Sequence, residues 1–188
     1  MADRFSVQAS KLSGLQVITR QPITDARGWF ERTYCFDVFT ELGLNKAIAQ
    51  INRSFTLQKG SVRGMHFQTA PFAETKYVSC LRGEVFDVAV DLRANSPTFL
   101  QWHGELLSAS NQRSMLIPEG FAHGFQALSA DCEMLYLHSQ KFDPASSSGL
   151  NPLDPKLAIV WPLPVTERTE MSDGDRHRPL LTPTFEGL

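Results

Sequence analysis

An all-β chain, folded as an antiparallel sandwich or barrel of the jelly-roll kind with a few short helices, is what this sequence predicts, and three observations carry the prediction. Glu84 to Leu92 alternates strictly, with Phe86, Val88, Val90 and Leu92 on one side and Asp87 and Asp91 on the other, the period of a strand. Turn chemistry recurs at short intervals, in Asp25-Ala26-Arg27-Gly28, Gln58-Lys59-Gly60, Arg82-Gly83, Asn95-Ser96-Pro97 and Pro118-Glu119-Gly120. The segments between these turns leave no room for the crossover helices that a parallel sheet demands.

Taken in order, Phe5 to Arg20 reads as a strand, clearest from Leu15 to Thr19, with no obvious partner in the tail. An uncovered edge strand invites pairing across a twofold axis, so a homodimer is expected. Further strands are expected at Trp29 to Tyr34, Ala47 to Ser54, Ser61 to Phe67, Lys76 to Leu81, Trp102 to Leu107, Arg113 to Ile117, Gly124 to Leu128 and Glu133 to Ser139. One helix is expected at Asp37 to Leu42, closed by Gly43 in a left-handed cap. After Asp143-Pro144 the chain turns rich in Pro, Ser and Asp and reads as a wrapping tail with short helical turns. There is no repeat and no low-complexity tract, and residues 1–188 are expected to form one domain.

Composition limits the partners. A net charge of -2 and a pI near 6.2 provide no basic field for nucleic acid or an anionic membrane. No apolar run approaches the ~20 residues of a membrane-spanning helix. Cys35, Cys80 and Cys132 are an odd, widely spaced set without a CxxC pair, and no secretory h-region follows Met1, so reduced thiols in a cytoplasmic protein are expected.

The chemistry concentrates at Arg63-Gly64-Met65-His66-Phe67-Gln68, with Lys76 and Tyr136 on later strands. An anion binder, an imidazole, an ammonium and a phenol together have the means to enolise a ketone. Alternation puts Gly64, His66 and Gln68 on one face and Arg63, Met65 and Phe67 on the other; the apolar pair faces the core or a neighbour, leaving His66 and Gln68 toward a cavity. The plain alternative for His66 is a hydrogen-bonded core histidine, for Lys76 a surface lysine and for Tyr136 ordinary packing. Pro118 to Phe125 has the PxGxxH form of the second cupin motif, ending on His123. Where metal cupins carry an HxH pair, this chain reads His66-Phe67-Gln68. Two histidines without a carboxylate, and beside an ammonium, make a poor divalent-metal site, so no metal and no other cofactor is expected.

These blocks, together with Gly83 to Arg93, Ser96 to Phe99, Ile117 to Phe125 and Ile159-Val160-Trp161-Pro162, resemble the dTDP-4-dehydrorhamnose 3,5-epimerase family, in order from about Asp25 to Leu181. The resemblance implies a metal-free cupin jelly roll, a homodimer and epimerisation beside the 4-keto group of a nucleotide-linked 6-deoxyhexose. It implies His66 as base, Asp175 in Met171-Ser172-Asp173-Gly174-Asp175 as its carboxylate, Lys76 near the ketone and Tyr136 as the acid on the opposite face. Arg27 and Arg63 match the diphosphate-binding arginines. Gln50, Asn52 and His123 match positions on the nucleotide or sugar, and Gln68 and Phe30 are expected to bind substrate with them.

Departures from the family pattern are Gly174 for a lysine, Ile51 for an acid, Phe142 for a tyrosine and Arg32 for a glutamate, with Glu31 next to it. They bear on the nucleotide base and on whether C3, C5 or both are inverted. The alternatives are therefore a 3- or 5-mono-epimerase on a dTDP-, CDP- or GDP-keto-deoxysugar and, from other classes, a metal-dependent cupin oxygenase or isomerase or a non-catalytic sugar-nucleotide-binding cupin.

Overall fold

A computed structural model describes residues 4–188. In chain order its elements are β1 (Phe5–Ala9), β2 (Gln16–Arg20), β3 (Ile23–Asp25), β4 (Gly28–Phe30), α1 (Phe36–Glu41), β5 (Gln50–Thr56), β6 (Val62–Gln68), β7 (Lys76–Arg82), β8 (Glu84–Asp91), β9 (Trp102–Ser108), β10 (Arg113–Ile117), β11 (Phe121–Ala127), β12 (Cys132–His138), β13 (Ser147–Gly149) and α2 (Asp173–Arg176). Two antiparallel sheets result, ordered β1-β2-β10-β7-β12-β5 and β13-β6-β11-β8-β9, with β3 and β4 forming a separate hairpin. The all-β jelly roll expected from the alternation is the architecture found.

Three apolar clusters hold it. Between the sheets lie Val17, Val78, Val85, Ala89, Leu107, Met115, Ile117, Phe121, Phe125 and Met134. Outside the second sheet, Met65, Phe67, Val88, Val90 and Leu92 are covered by Leu150, Leu157 and Leu181 of the tail, with Trp161 packed against them. Outside the first sheet, α1 lays Val38 and Phe39 over Ile18, Tyr77, Leu116 and Leu137. Thus Met65 and Phe67 meet a neighbour, the tail, rather than the opposing sheet. The same covering explains β8: its apolar face lies under the tail, whereas Asp87 and Asp91, both fully buried, share the inner face with Val85 and Ala89.

Local chemistry accounts for several differences from expectation. Phe5 to Arg20 is two strands, Phe5 pairing with Arg20 and Ala9 with Gln16. Ser10 initiates the turn by accepting from the Leu12 amide at 3.1 Å, a turn-forming use of serine. The segment therefore finds its partners in itself and in β10. The expected strand at Trp29 to Tyr34 stops at Phe30, because Glu31 turns inward to pair with the buried Arg20 at 2.8 Å. β11 begins at Phe121, directly after a turn at Gly120, and β13 adds an unanticipated strand that pairs with β6. The helix falls where expected, one residue earlier, with Gly43 at φ +99° beyond it. All three cysteines are free thiols.

Asp91 staples the loop after β8. Its carboxylate accepts from Arg93 Nε at 2.8 Å, Ser96 Oγ at 2.5 Å and Thr98 Oγ1 at 2.6 Å. Burial works to raise its pKa, but the hydrogen bonds from Arg93, Ser96 and Thr98 outweigh it and hold the carboxyl at about 2. A carboxyl depressed on folding stabilises the protein above its unfolded pKa near 4, and that stabilisation is lost as pH falls from there toward 2. Asp91→Ala is expected to cost about 3 kcal/mol, the lower end for breaking a buried ion pair because Arg93 is partly solvated. That corresponds to a fall in Tm of about 6–12 °C at pH 7, shrinking toward pH 2; a Tm unchanged at pH 7 in calorimetry would refute it.

Candidate active site

The inner faces of the two sheets converge on one polar group. Strand alternation sends Gln50, Asn52 and Ser54 of β5, Lys76 of β7 and Tyr136 and His138 of β12 inward from the first sheet. The register sets His138 opposite both Lys76 and Gln50, and Tyr136 opposite Asn52. From the second sheet come His66 and His123, directly paired across β6 and β11, and Asp87 of β8.

His66 Nε2 lies 2.5 Å from Asp175 Oδ1. Asp175 also accepts from the Gly64 amide at 3.2 Å, and Ser172 Oγ, the cap of α2, accepts from the Asp175 amide at 3.0 Å. Burial works to raise the Asp175 pKa, but the His66 hydrogen bond and charge and the Gly64 amide hold it below the usual carboxylate range. An ionised Asp175 requires a proton on His66 Nε2, which leaves Nδ1 with the lone pair. The His66 side chain remains 44% exposed, so the imidazole is accessible to a ligand. Gly174 does not disturb this arrangement: a Cβ there would meet only Ser172 Oγ, at 3.7 Å.

The strands beneath this pair touch. A Cβ on Gly64 would lie 2.5 Å from Gly124 Cα and 2.8 Å from the His123 carbonyl oxygen, at a φ of +125° that side chains rarely adopt. Glycine at this point lets β6 and β11 approach and brings the two histidines level.

Lys76, 6% exposed, donates to the His66 carbonyl oxygen at 3.1 Å and pairs with Glu74 at 3.1 Å. The Tyr136 hydroxyl is 2.9 Å from Ser54 Oγ, and its ring stands edge-on to His123 and stacks on His138. Burial raises the phenol pKa well above its ordinary value, more than the Ser54 hydrogen bond and the nearby Arg63 lower it, so Tyr136 is a neutral O–H at physiological pH. His123 Nε2 lies 2.8 Å from Asp87 Oδ1; burial keeps the Asp87 carboxyl above its usual range in spite of that partner.

Of the residues anticipated from the sequence, His66, Asp175, Lys76, Tyr136, His123, Gln50 and Asn52 thus belong to one connected group, with Arg63 at its edge donating to the Phe55 carbonyl. Gln68 is engaged elsewhere in the fold. Its amide nitrogen donates to the Phe72 and Lys141 carbonyls and its oxygen accepts from the Asp143 amide, so it holds loops together and has no donor left for a ligand. Arg27 and Phe30 sit on the β3–β4 hairpin, which pairs with neither sheet; Arg27 is bound to Asp25 at 2.6 Å and Phe30 is 67% exposed. Ile51 points outward, away from Gln50 and Asn52, and is 62% exposed.

Glu74, His138, Ser54 and Asp87 were missed as site residues. Asp87 carried a signal, an acid every fourth residue on an otherwise apolar strand, and His138 another, two positions from Tyr136 on the same face. Glu74 lies in a loop and carried none. Among the described residues no three His, Cys, Asp or Glu side chains are arranged to hold a metal ion. Each of the two facing imidazoles already has its Nε2 on a carboxylate, with the Lys76 ammonium nearby, so the donor set does not fit the metal of a metal cupin.

Comparison with known proteins gives a consistent result. The family model described as dTDP-4-dehydrorhamnose 3,5-epimerase matches residues 9–183. The dTDP-4-dehydrorhamnose 3,5-epimerase of Methanothermobacter thermautotrophicus is 42% identical over 173 residues, 92% of each chain. The dTDP-4-dehydrorhamnose 3-epimerase of Streptomyces niveus is 44% identical over 152 residues, 80% of this chain and 73% of its own. The crystal structure of the dTDP-6-deoxy-D-glucose-3,5-epimerase of Legionella pneumophila, in complex with dTDP-4-keto-L-rhamnose, superposes with a TM-score of 0.88 at 40% identity, covering 94% of this chain and 92% of that one.

Proposed function

Because the chain belongs to the dTDP-4-dehydrorhamnose 3,5-epimerase family, we propose that its group of inward-facing residues works on that family's reaction, converting dTDP-4-dehydro-6-deoxy-D-glucose to dTDP-4-dehydro-L-rhamnose. The observation that carries the assignment of roles is the His66–Asp175 pair, with Lys76 bonded to the His66 carbonyl and a neutral phenol on the facing sheet. His66 Nδ1 takes the proton from the carbon beside the C4 ketone, and Asp175 stabilises the imidazolium that forms. Negative charge moves to the ketone oxygen, where Lys76 donates; an ammonium has three donors, and two are spent on Glu74 and the His66 carbonyl. Tyr136 returns a proton to the carbon from the opposite face. Arg63, Arg27, Gln50, Asn52, His123 and Phe30 are the residues proposed to hold the nucleotide and sugar.

Incubation with nucleotide-4-keto-6-deoxysugars in D₂O, read by NMR, tests the reading. Deuterium is expected at both C3 and C5 of the dTDP sugar. Exchange at C3 alone would make the protein a mono-epimerase like the Streptomyces niveus relative, and no exchange with any sugar would end the epimerase reading. No step in this scheme needs a metal, so chelation followed by desalting is expected to leave turnover within about twofold. Loss of activity that a divalent ion restores would overturn the scheme.

We also propose a single domain acting as a homodimer. The support is the outer face of the edge strand β5, where Ile51 and Phe55 are exposed, together with the exposed Leu57 just after it. Beside it runs an open groove of about 620 Å³ lined by Tyr34, Ile48, Ile51, Leu135 and Leu137. An uncovered edge with an apolar face is a pairing surface. A monomer at micromolar concentration in light scattering would contradict it. No helix among the described residues is long and apolar enough to cross a membrane.

A further inference from the structure

Two carboxylates in the site, Asp87 and Glu74, are not used by the reaction scheme, and Glu74 is the one in contact with Lys76. Glu74 precedes β7 with a side chain only 9% exposed, and it bridges two groups: Oε1 lies 3.1 Å from Lys76 Nζ and Oε2 lies 2.8 Å from His138 Nδ1. Behind His138 the hydrogen bonds continue in one direction. The Phe142 amide donates to Gln50 Oε1 at 3.0 Å, Gln50 Nε2 donates to Asn52 Oδ1 at 3.1 Å, and Asn52 Nδ2 reaches His138 Nε2 at 3.4 Å. A neutral His138 satisfies both of its neighbours, accepting at Nε2 and donating from Nδ1. Every donor in the chain therefore points toward Glu74, which accepts at both oxygens, and aligned hydrogen bonds of this kind reinforce one another. The far end of the chain is the Gln50–Asn52 rim, and the near end is the lysine that faces the ketone.

We propose that Glu74 is the positioning residue of Lys76, fixing its ammonium beside the His66 carbonyl, and that His138 locks Glu74 and ties it to the Gln50–Asn52 rim. The proposal rests on the role given to Lys76 above. A lysine carries its charge on a flexible four-carbon stem, so the ammonium stabilises an enolate only where it is held in place. Glu74 holds it at contact distance. Burial works to raise the Glu74 pKa, but His138 and Lys76 outweigh it and hold the carboxyl below its usual range, so the charge is present throughout the neutral range. The other titratable groups around Lys76 are Asp87 of β8, whose carboxyl feels the lysine charge, His66 of β6, His123 of β11, and Tyr136 and His138 of β12. Glu74 is the only carboxylate among them in ion-pair contact with the ammonium.

Glu74→Gln keeps the shape and removes the charge. In isotope-labelled protein without substrate, the Lys76 ζ-ammonium resonance in NMR is expected to shift and broaden relative to wild type as its ion pair is lost. In turnover, kcat is expected to fall about tenfold or more with KM within about twofold. An unchanged Lys76 resonance overturns the proposal, and so does a KM that rises as steeply as kcat falls. Should Glu74→Gln not fold, His138→Ala retains the ion pair and removes its lock; several-fold loss of kcat at constant KM supports the proposal, and wild-type kcat refutes it. A wild-type protein inert toward every keto-sugar would defeat the epimerase reading alone, because the lysine resonance is read without substrate.

Discussion

Replacing His66 by alanine is expected to abolish deuterium exchange and epimerisation together, lowering turnover by at least about 10²–10⁴-fold, the contribution of a positioned general base. The prediction follows from the hydrogen bonds. Asp175 occupies Nε2, which leaves Nδ1 of a half-exposed imidazole for a ligand, and the His123 imidazole on the adjacent strand is buried and turned to Asp87. The fold is expected to survive, since His66 lies on the inner face and not among the apolar residues of β6 that the tail covers. Asp175→Asn is expected to lower kcat far more than it raises KM, because an amide no longer fixes the tautomer or stabilises the imidazolium. Circular dichroism establishes folding, and NMR in D₂O reads the exchange. A folded His66→Ala protein that exchanges at near wild-type rate would reassign the base.

Tyr136→Phe is expected to separate two events that the wild-type enzyme couples. One imidazole cannot reach both faces of a bound ring, so inversion needs a second proton donor on the opposite side. Tyr136 is suited to that role: its phenol is protonated at neutral pH because burial raises its pKa, and its hydroxyl is oriented by Ser54 at 2.9 Å. Without the hydroxyl, His66 still removes and returns a proton on its own face. Exchange is therefore expected to persist within about an order of magnitude while inversion falls by about 10²-fold or more. Equal loss of both would place Tyr136 in the deprotonation step, and loss of neither would move the acid to another group.

Much of this was legible in the sequence, for reasons that differ between residues. The period of two from Glu84 to Leu92 fixes a strand by itself, and His66, which alone reads as a core histidine, stands out because Arg63, Lys76, His123 and Tyr136 accompany it on strands or strand ends. Which side of β8 is the interior was not legible. Both faces are buried, one by the opposing sheet and one by a tail whose covering residues, Leu150, Leu157 and Leu181, are dispersed among prolines and polar residues without periodicity. The partners of Gln68 were hidden for a related reason: it shares a strand face with His66, but the carbonyls it bonds belong to two loops. Glu74 was invisible because its significance lies wholly in a cross-strand pairing, His138 opposite Lys76, that local sequence does not encode. The division of Phe5 to Arg20 into two strands was readable in Ser10 and Gly14, a turn hidden inside an apparently continuous run.

The carboxylate that partners His66 arrives from the segment that closes the outer apolar cluster, so chemistry and wrapping share one piece of chain. During synthesis the ribosome releases the base 109 residues before its partner, and both sheets can be complete while the dyad is still open. Turnover is therefore a reporter of tail docking. A protease cut between Val160 and Ser172 is expected to silence the enzyme while leaving the β-sheet spectrum largely intact, which offers a way to time the last step of assembly without any label.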